Sequence, residues 1–173
     1  NNTGTIAPDS VIEFGDNDVF YLSKSGIRSL RARDSSNAAF VGDIGNPIDD
    51  LVVAEITANI ISARNSTAIH EPKDGRYLLA IGSKVYVFSY FPSSKVSAWS
   101  IYEPGFNIDK WAFDGTQILC RSGNQLFSLG GSNGTTYDNS TVTVQMPFLD
   151  AGRPASFKDF TSLDMTCENT WDV

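Results

Sequence analysis

The sequence predicts a mainly β chain, built from antiparallel meander blades of a partial β-propeller with one amphipathic helix over about 47–60. Three observations carry that prediction. Apolar and polar residues alternate with period 2 through most of the chain, in short runs rich in Val, Ile, Tyr and Phe. Gly-containing turns separate the runs, as tight hairpins require. A strand–turn–strand unit also recurs at blade-sized spacing, about 40 to 60 residues.

The first meander lies between Ser10 and Ala32. Val11-Ile12-Glu13-Phe14 precedes the turn Gly15-Asp16-Asn17-Asp18, Val19-Phe20-Tyr21-Leu22 precedes Ser23-Lys24-Ser25-Gly26, and Ile27 to Ala32 closes the set. The period then changes. Ile48, Leu51, Val52, Glu55, Ile56, Asn59 and Ile60 fall at helical spacing, with Asn46 as N-cap, Pro47 at the first helical position, and Asp49 and Asp50 at the positive end of the dipole. The β pattern returns with a weak run from Ala63 to Ile69. Arg76–Ile81, Lys84–Tyr90 and Ala98–Tyr102 follow as strands, then Ile108–Phe113, Gln117–Arg121 and Gln125–Leu129. Asp18–Leu30, Arg76–Tyr90 and Gln117–Leu129 share one shape, and repeated meanders of this kind are how propellers protect their sheet edges. The aromatics Tyr86, Phe88, Trp99, Tyr102, Trp111, Phe113 and Phe127 are expected to fill contacts between blades, with a sugar-binding platform as the alternative.

The organisation expected is a blade-like β domain over 1–130, a flexible linker at 131–140 (Gly130-Gly131-Ser132-Asn133-Gly134 opens it), and a second β module or docking arm over 141–173. Within that last part Thr141–Pro147 alternates cleanly, and Phe157–Met165 is a further strand candidate. The chain begins Asn1-Asn2-Thr3-Gly4 and reaches its first strand signal at Val11, which suits a piece of a longer protein.

Charge narrows the function. Thirteen Lys and Arg against twenty Asp and Glu give −7, with pI near 4.5, and such a surface disfavours general binding to nucleic acid or anionic lipid. Apolar residues at 41% and aromatics at 12% exclude a disordered tail, and no apolar run approaches membrane-spanning length. Arg28, Arg31 and Arg33 form the one basic cluster; salt bridging to an acidic neighbour is the expectation, with tracking of a DNA backbone as the alternative.

No catalytic, cofactor-binding or metal-binding residue is assigned. His70 with Asp74 and nearby serines has the residue types of a nucleophile–base–acid set, but no nucleophile elbow accompanies them. Asp16-Asn17-Asp18 and Asp138-Asn139 read as turns without the further carboxylates of a calcium loop. Glu13, Glu55, Glu71 and Glu103 fall on different elements, and spacing alone does not say whether any two meet at a glycosidase separation. Gly130-Gly131 opens no phosphate-binding helix. Cys120 reads as a buried strand thiol and Cys167 as a second free thiol in a reducing compartment, neither with metal-ligand spacing. Asn65-Ser66-Thr67 and similar triplets match the glycosylation pattern, which carries weight only in a secreted chain.

Several of these segments resemble tail proteins of short-tailed bacteriophages. DVFYLSKSGIRSL from Asp18 to Leu30 resembles a strand pair of those proteins. DGRYLLAIGSKVYVFSY from Asp74 to Tyr90, followed by SAWSIY from Ser97 to Tyr102, is similar to their recurring blade. The order after it, a Thr/Val strand and then Met146-Pro147-Phe148-Leu149-Asp150, resembles the nozzle (tail tubular protein B) family, with tail hub or DNA-stabilisation proteins next. The likeness covers residues 10–165. It implies a structural virion protein, made in the bacterial cytoplasm, that needs no cofactor and catalyses no reaction. It also implies a homo-oligomeric ring joined to other tail proteins, around a channel whose wall touches double-stranded DNA transiently. Nozzle chains are several times longer, so this one would be a fragment or a small member whose ring other copies complete. The other classes left open are a glycan-binding propeller of receptor-binding type and a glycan-degrading one of sialidase or glycosidase type.

Overall fold

The computed structural model describes residues 4–15, 18–30, 43–91 and 96–130, all within the first of the two units into which the chain divides, Asn1–Tyr137 and Asp138–Val173. The segments expected as a linker (131–140) and as further strands (141–147 and 157–165) lie outside the described residues.

The described residues are mainly β, in three antiparallel sheets. The first sheet is β1 (Ile12–Phe14), β2 (Asp18–Ser23) and β3 (Gly26–Ser29). Helix α1 (Asp49–Ala58) and the single turn α2 (Ile60–Arg64) come next. The second sheet is β4 (Thr67–Glu71), β5 (Arg76–Ile81), β6 (Lys84–Phe91) and β7 (Val96–Tyr102), and the third is β8 (Lys110–Phe113), β9 (Ile118–Ser122) and β10 (Gln125–Ser128). Strand order follows chain order in every sheet, so each is a meander, and the described strands close no barrel. Ser23 pairs with Gly26, Ile81 with Lys84, and Ser122 with Gln125, so a two-residue loop joins the second and third strands of each sheet. These hairpins are the recurring unit of the sequence. Gly82 and Gly123 take positive φ, 61° and 56°, which such loops require and side-chain-bearing residues resist.

The central strands of the second sheet, β5 and β6, are buried on both faces over most of their length. Successive side chains of a strand point to opposite faces. Tyr77, Leu79 and Ile81 of β5, with Tyr86 and Phe88 of β6, therefore pack against Phe20, Leu22 and Ile27 of the first sheet and Ile48, Val52 and Ile56 of the helical segment. The residues between them, Leu78, Ala80, Val85 and Val87, pack with Ile108, Ile118 and Cys120 on the third-sheet side. Two-sided burial explains why these strands read as continuous apolar runs rather than alternating ones. Each fully buried large side chain contributes about 1.5–3 kcal/mol.

Aromatic rings fill the first of these interfaces. Phe14 stacks on Phe20 at 4.5 Å, Phe88 meets both at 5.8 Å, and Tyr77 meets Phe20 edge-on at 5.4 Å. Trp99 is half-buried beside Phe88, and Trp111 and Phe127 are half-buried against the second core. Tyr102 and Phe113 depart from expectation and are exposed; each ends a strand at the edge of its sheet.

The helical segment is present with corrections. Asn46 does not cap α1; it opens a 3-10 turn, Asn46–Ile48, and α1 starts at Asp49 with no side-chain cap. The buried stripe is narrower than the spacing suggested. Ile48, Val52 and Ile56 face the core one turn apart, whereas Leu51 is 54% exposed and Ile60 is 40% exposed. The weak strand expected from Ala63 begins only at Thr67. Asn59 interrupts the helix and accepts the backbone N–H of Ser62 at 3.1 Å, which starts α2 and buries Ala63 in the core. No helix among the described residues is long and apolar enough to cross a membrane.

Burial raises the pKa of Tyr77 and of Tyr86. The folded chain therefore keeps phenol protons that the unfolded chain releases near about pH 10. Their contribution is complete below that pH and is lost progressively as pH rises above it toward the raised values of the folded chain. Denaturant midpoints measured at about pH 8 and about pH 11 should show a fall, and Tyr77→Phe should lessen it. A second expectation concerns Gly26, whose φ is +117° and whose added Cβ would lie 2.0 Å from the Asp49 carboxylate. Gly26→Ala should cost about 2–3 kcal/mol by chemical denaturation.

Candidate functional site

The first strands of the three meanders converge: β1 lies beside β4, and β4 beside β8. Specific bonds hold them. Trp111 Nε1 donates to the Thr67 carbonyl at 3.2 Å, tying β8 to the start of β4. Tyr77 Oη donates to the Ser10 carbonyl at 3.3 Å, tying β5 to the turn before β1. The Lys110 ammonium pairs with Asp9, joining that same turn to β8 across 101 positions of sequence.

The segments that enter these strands enclose a cleft of about 330 Å³. Asp9 comes from the turn before β1, Arg64 and Asn65 from the end of α2 before β4, Asn107 from the approach to β8, Lys110 from the first position of β8, and Arg121 from β9. Backbone bonds shape the wall: Ile108 N–H to the Gly82 carbonyl at 3.1 Å and Asp109 N–H to the Arg121 carbonyl at 2.8 Å. The Asp109 carboxylate accepts the Gly123 N–H at 2.7 Å. Sequence reading missed this cleft because no local motif builds it. The legible signal was the repeat itself, since most of these residues directly precede the first strand of a meander.

The residues weighed from sequence do not assemble into a catalytic set. His70 is half-buried on β4 opposite Tyr77, its ring 5.0 Å from that of Phe14. Asp74 pairs with Arg76 Nη2 at 3.1 Å, and the buried Glu71 accepts Arg76 Nε at 2.8 Å. Burial opposes the Arg76 charge, but the hydrogen bond and attraction of Glu71 outweigh it and raise its pKa. Glu55 holds Lys84 at 2.7 Å and raises its pKa chiefly through that hydrogen bond, fastening α1 to β6. Glu13 and Glu103 are exposed. Cys120 is buried, which raises its thiol pKa. Asp18, expected in the turn, is instead the first residue of β2, and its two carboxylate oxygens accept Ser29 Oγ of β3 at 2.9 and 2.7 Å. Among the described residues, no group of three His, Cys, Asp or Glu is placed to hold a metal. Asp16, Asn17, Arg31, Arg33, Asp138, Asn139 and Cys167 lie outside the described residues.

Arg28 is no surface cation. It is 6% exposed, and its Nη1 donates to Asp49 Oδ1 at 2.7 Å and to the Ile27 carbonyl at 2.8 Å. Nη2 donates to the Ser25 carbonyl, and Nε lies 3.7 Å from Asp43 Oδ2 without a hydrogen-bond acceptor. The salt-bridging reading of this residue therefore holds, and Arg28 cannot track a DNA backbone. Arg28→Met leaves two carboxylates facing a buried site. Allowing for the partial exposure of Asp49, the expected loss is about 2–4 kcal/mol in denaturant unfolding.

Compared with protein-family models, with curated proteins and with solved structures, the chain shows no significant match to any of them.

Proposed function

We propose that this chain is a structural component of a bacteriophage tail, of nozzle or hub type, whose meanders are β-propeller blades in the wall of a genome channel. The observation that supports this reading most is the stacking of three consecutive antiparallel meanders face to face, with their first strands side by side. Blades arranged around an axis meet in this way, innermost strand to innermost strand. A propeller takes about four to eight blades, so the described meanders are part of a ring that further blades complete, contributed in this reading by other copies. The net charge of −7 suits a wall along which DNA slides, because like charge keeps the phosphate backbone from adhering. No catalytic step is called for.

Solution mass tests the ring. Native mass spectrometry of the full chain should give one discrete oligomer, with a central hole in negative-stain images. Peptide mass spectrometry of purified virions should find the chain at a fixed multiple of the other tail proteins. A monomer at all concentrations, together with its absence from the particles, would overturn the proposal.

A further inference from the structure

We infer that the cleft before β4 and β8 is a phosphate-binding site. In a chain of net charge −7, its walls carry three cations, Arg64, Lys110 and Arg121, against two carboxylates, Asp9 and Asp109. Asp9 pairs with Lys110, and Asp109 is held by the Gly123 N–H at 2.7 Å but keeps its charge, so the wall carries one net positive charge. Neither guanidinium has a carboxylate partner among the described residues.

Two further features single out this group. Lys110 and Arg121 are direct cross-strand partners, an arrangement of like charges that a sheet disfavours unless an anion offsets it. Asp9 offsets Lys110 alone. Arg64 has a structural use, since it lies in the last turn of α2, where a cation suits the carbonyl end; Arg121 has no such use. Guanidinium forks match the geometry of an oxyanion and bind it through two parallel hydrogen bonds. Asn65 and Asn107 add neutral amides to the same wall. The volume of about 330 Å³ admits a phosphate together with part of the group that carries it. The ligand is thus a phosphate, carried either by a nucleic-acid backbone or by a small phosphate ester. This inference does not depend on ring assembly, and native mass tests that separately.

The full-length chain is titrated at low salt with inorganic phosphate, followed by calorimetry, and in parallel with a short duplex DNA, followed by anisotropy. Saturable binding of at least one probe is expected, weakened about tenfold or more by Arg64→Gln or Arg121→Gln. Arg121→Lys, which keeps the charge and loses the fork, should fall between. Lys73→Gln, in the exposed turn at the opposite end of β4, should bind like the parent chain. Binding of DNA identifies the backbone as the source, and binding of phosphate alone identifies a free ester. If neither probe binds, or if both arginine variants bind as well as the parent while circular dichroism shows them folded, the inference is overturned.

Discussion

The central strands of the second sheet, β5 and β6, cannot leave either face to water, and the rest of the described fold follows from that constraint. β5 and β6 send Tyr77, Leu79, Ile81, Tyr86 and Phe88 to one side and Leu78, Ala80, Val85 and Val87 to the other. A shift of one residue in register would exchange the two sets. The sets are not interchangeable in volume. The aromatic side needs a deep partner layer, supplied by the first sheet and α1 together, while the smaller aliphatic side is covered by the third sheet. Burial in two directions therefore fixes strand register and also assigns each neighbouring element to its face.

The helical segment is held by charge as well as by its apolar stripe. Two buried side chains one turn apart, with Ile48 of the preceding 3-10 turn, are a narrow contact for a ten-residue helix. Arg28 reaches Asp49 at its start and Lys84 reaches Glu55 further along, so the helix is fixed to β3 and to β6 at two points. Backbone close approach makes the first contact possible. An added Cβ on Gly45 would lie 2.2 Å from the Ile27 carbonyl oxygen, so only glycine lets the segment before the helix come that near to β3. The desolvation of Arg28 costs free energy that its two carboxylates and the two backbone carbonyls it meets offset.

Charge is distributed with the same economy. Glu71 with Arg76 and Glu55 with Lys84 neutralise one another within the second sheet and its helix. The loop-end cleft differs, because two arginines meet there without carboxylate partners among the described residues. A locally positive cleft in an acidic chain concentrates attraction for an anion at one end of the first strands and leaves the remaining surface repulsive to polyanions. In a tail channel, that combination would permit contact at one level of the wall and free passage elsewhere.

The sequence by itself determined the meanders. Period-2 runs, glycine turns and the recurring hairpin are local features, and backbone geometry enforces them within a few residues. It also determined that a helix follows residue 46, though its start, its break at Asn59 and its narrow buried face depended on contacts with distant residues. Tertiary structure alone decided that Tyr102 and Phe113 stay exposed while Tyr86 and Phe88 fill a core, since all four have the same strand pattern and differ only in what faces them. It alone decided that Arg28 is a buried tie and that Asp9, Arg64, Lys110 and Arg121 share a cleft. Those residues are far apart in the chain, and no spacing rule links them. Only the stacking of one meander on the next, driven by apolar burial, brings the segments that precede their first strands to a common end.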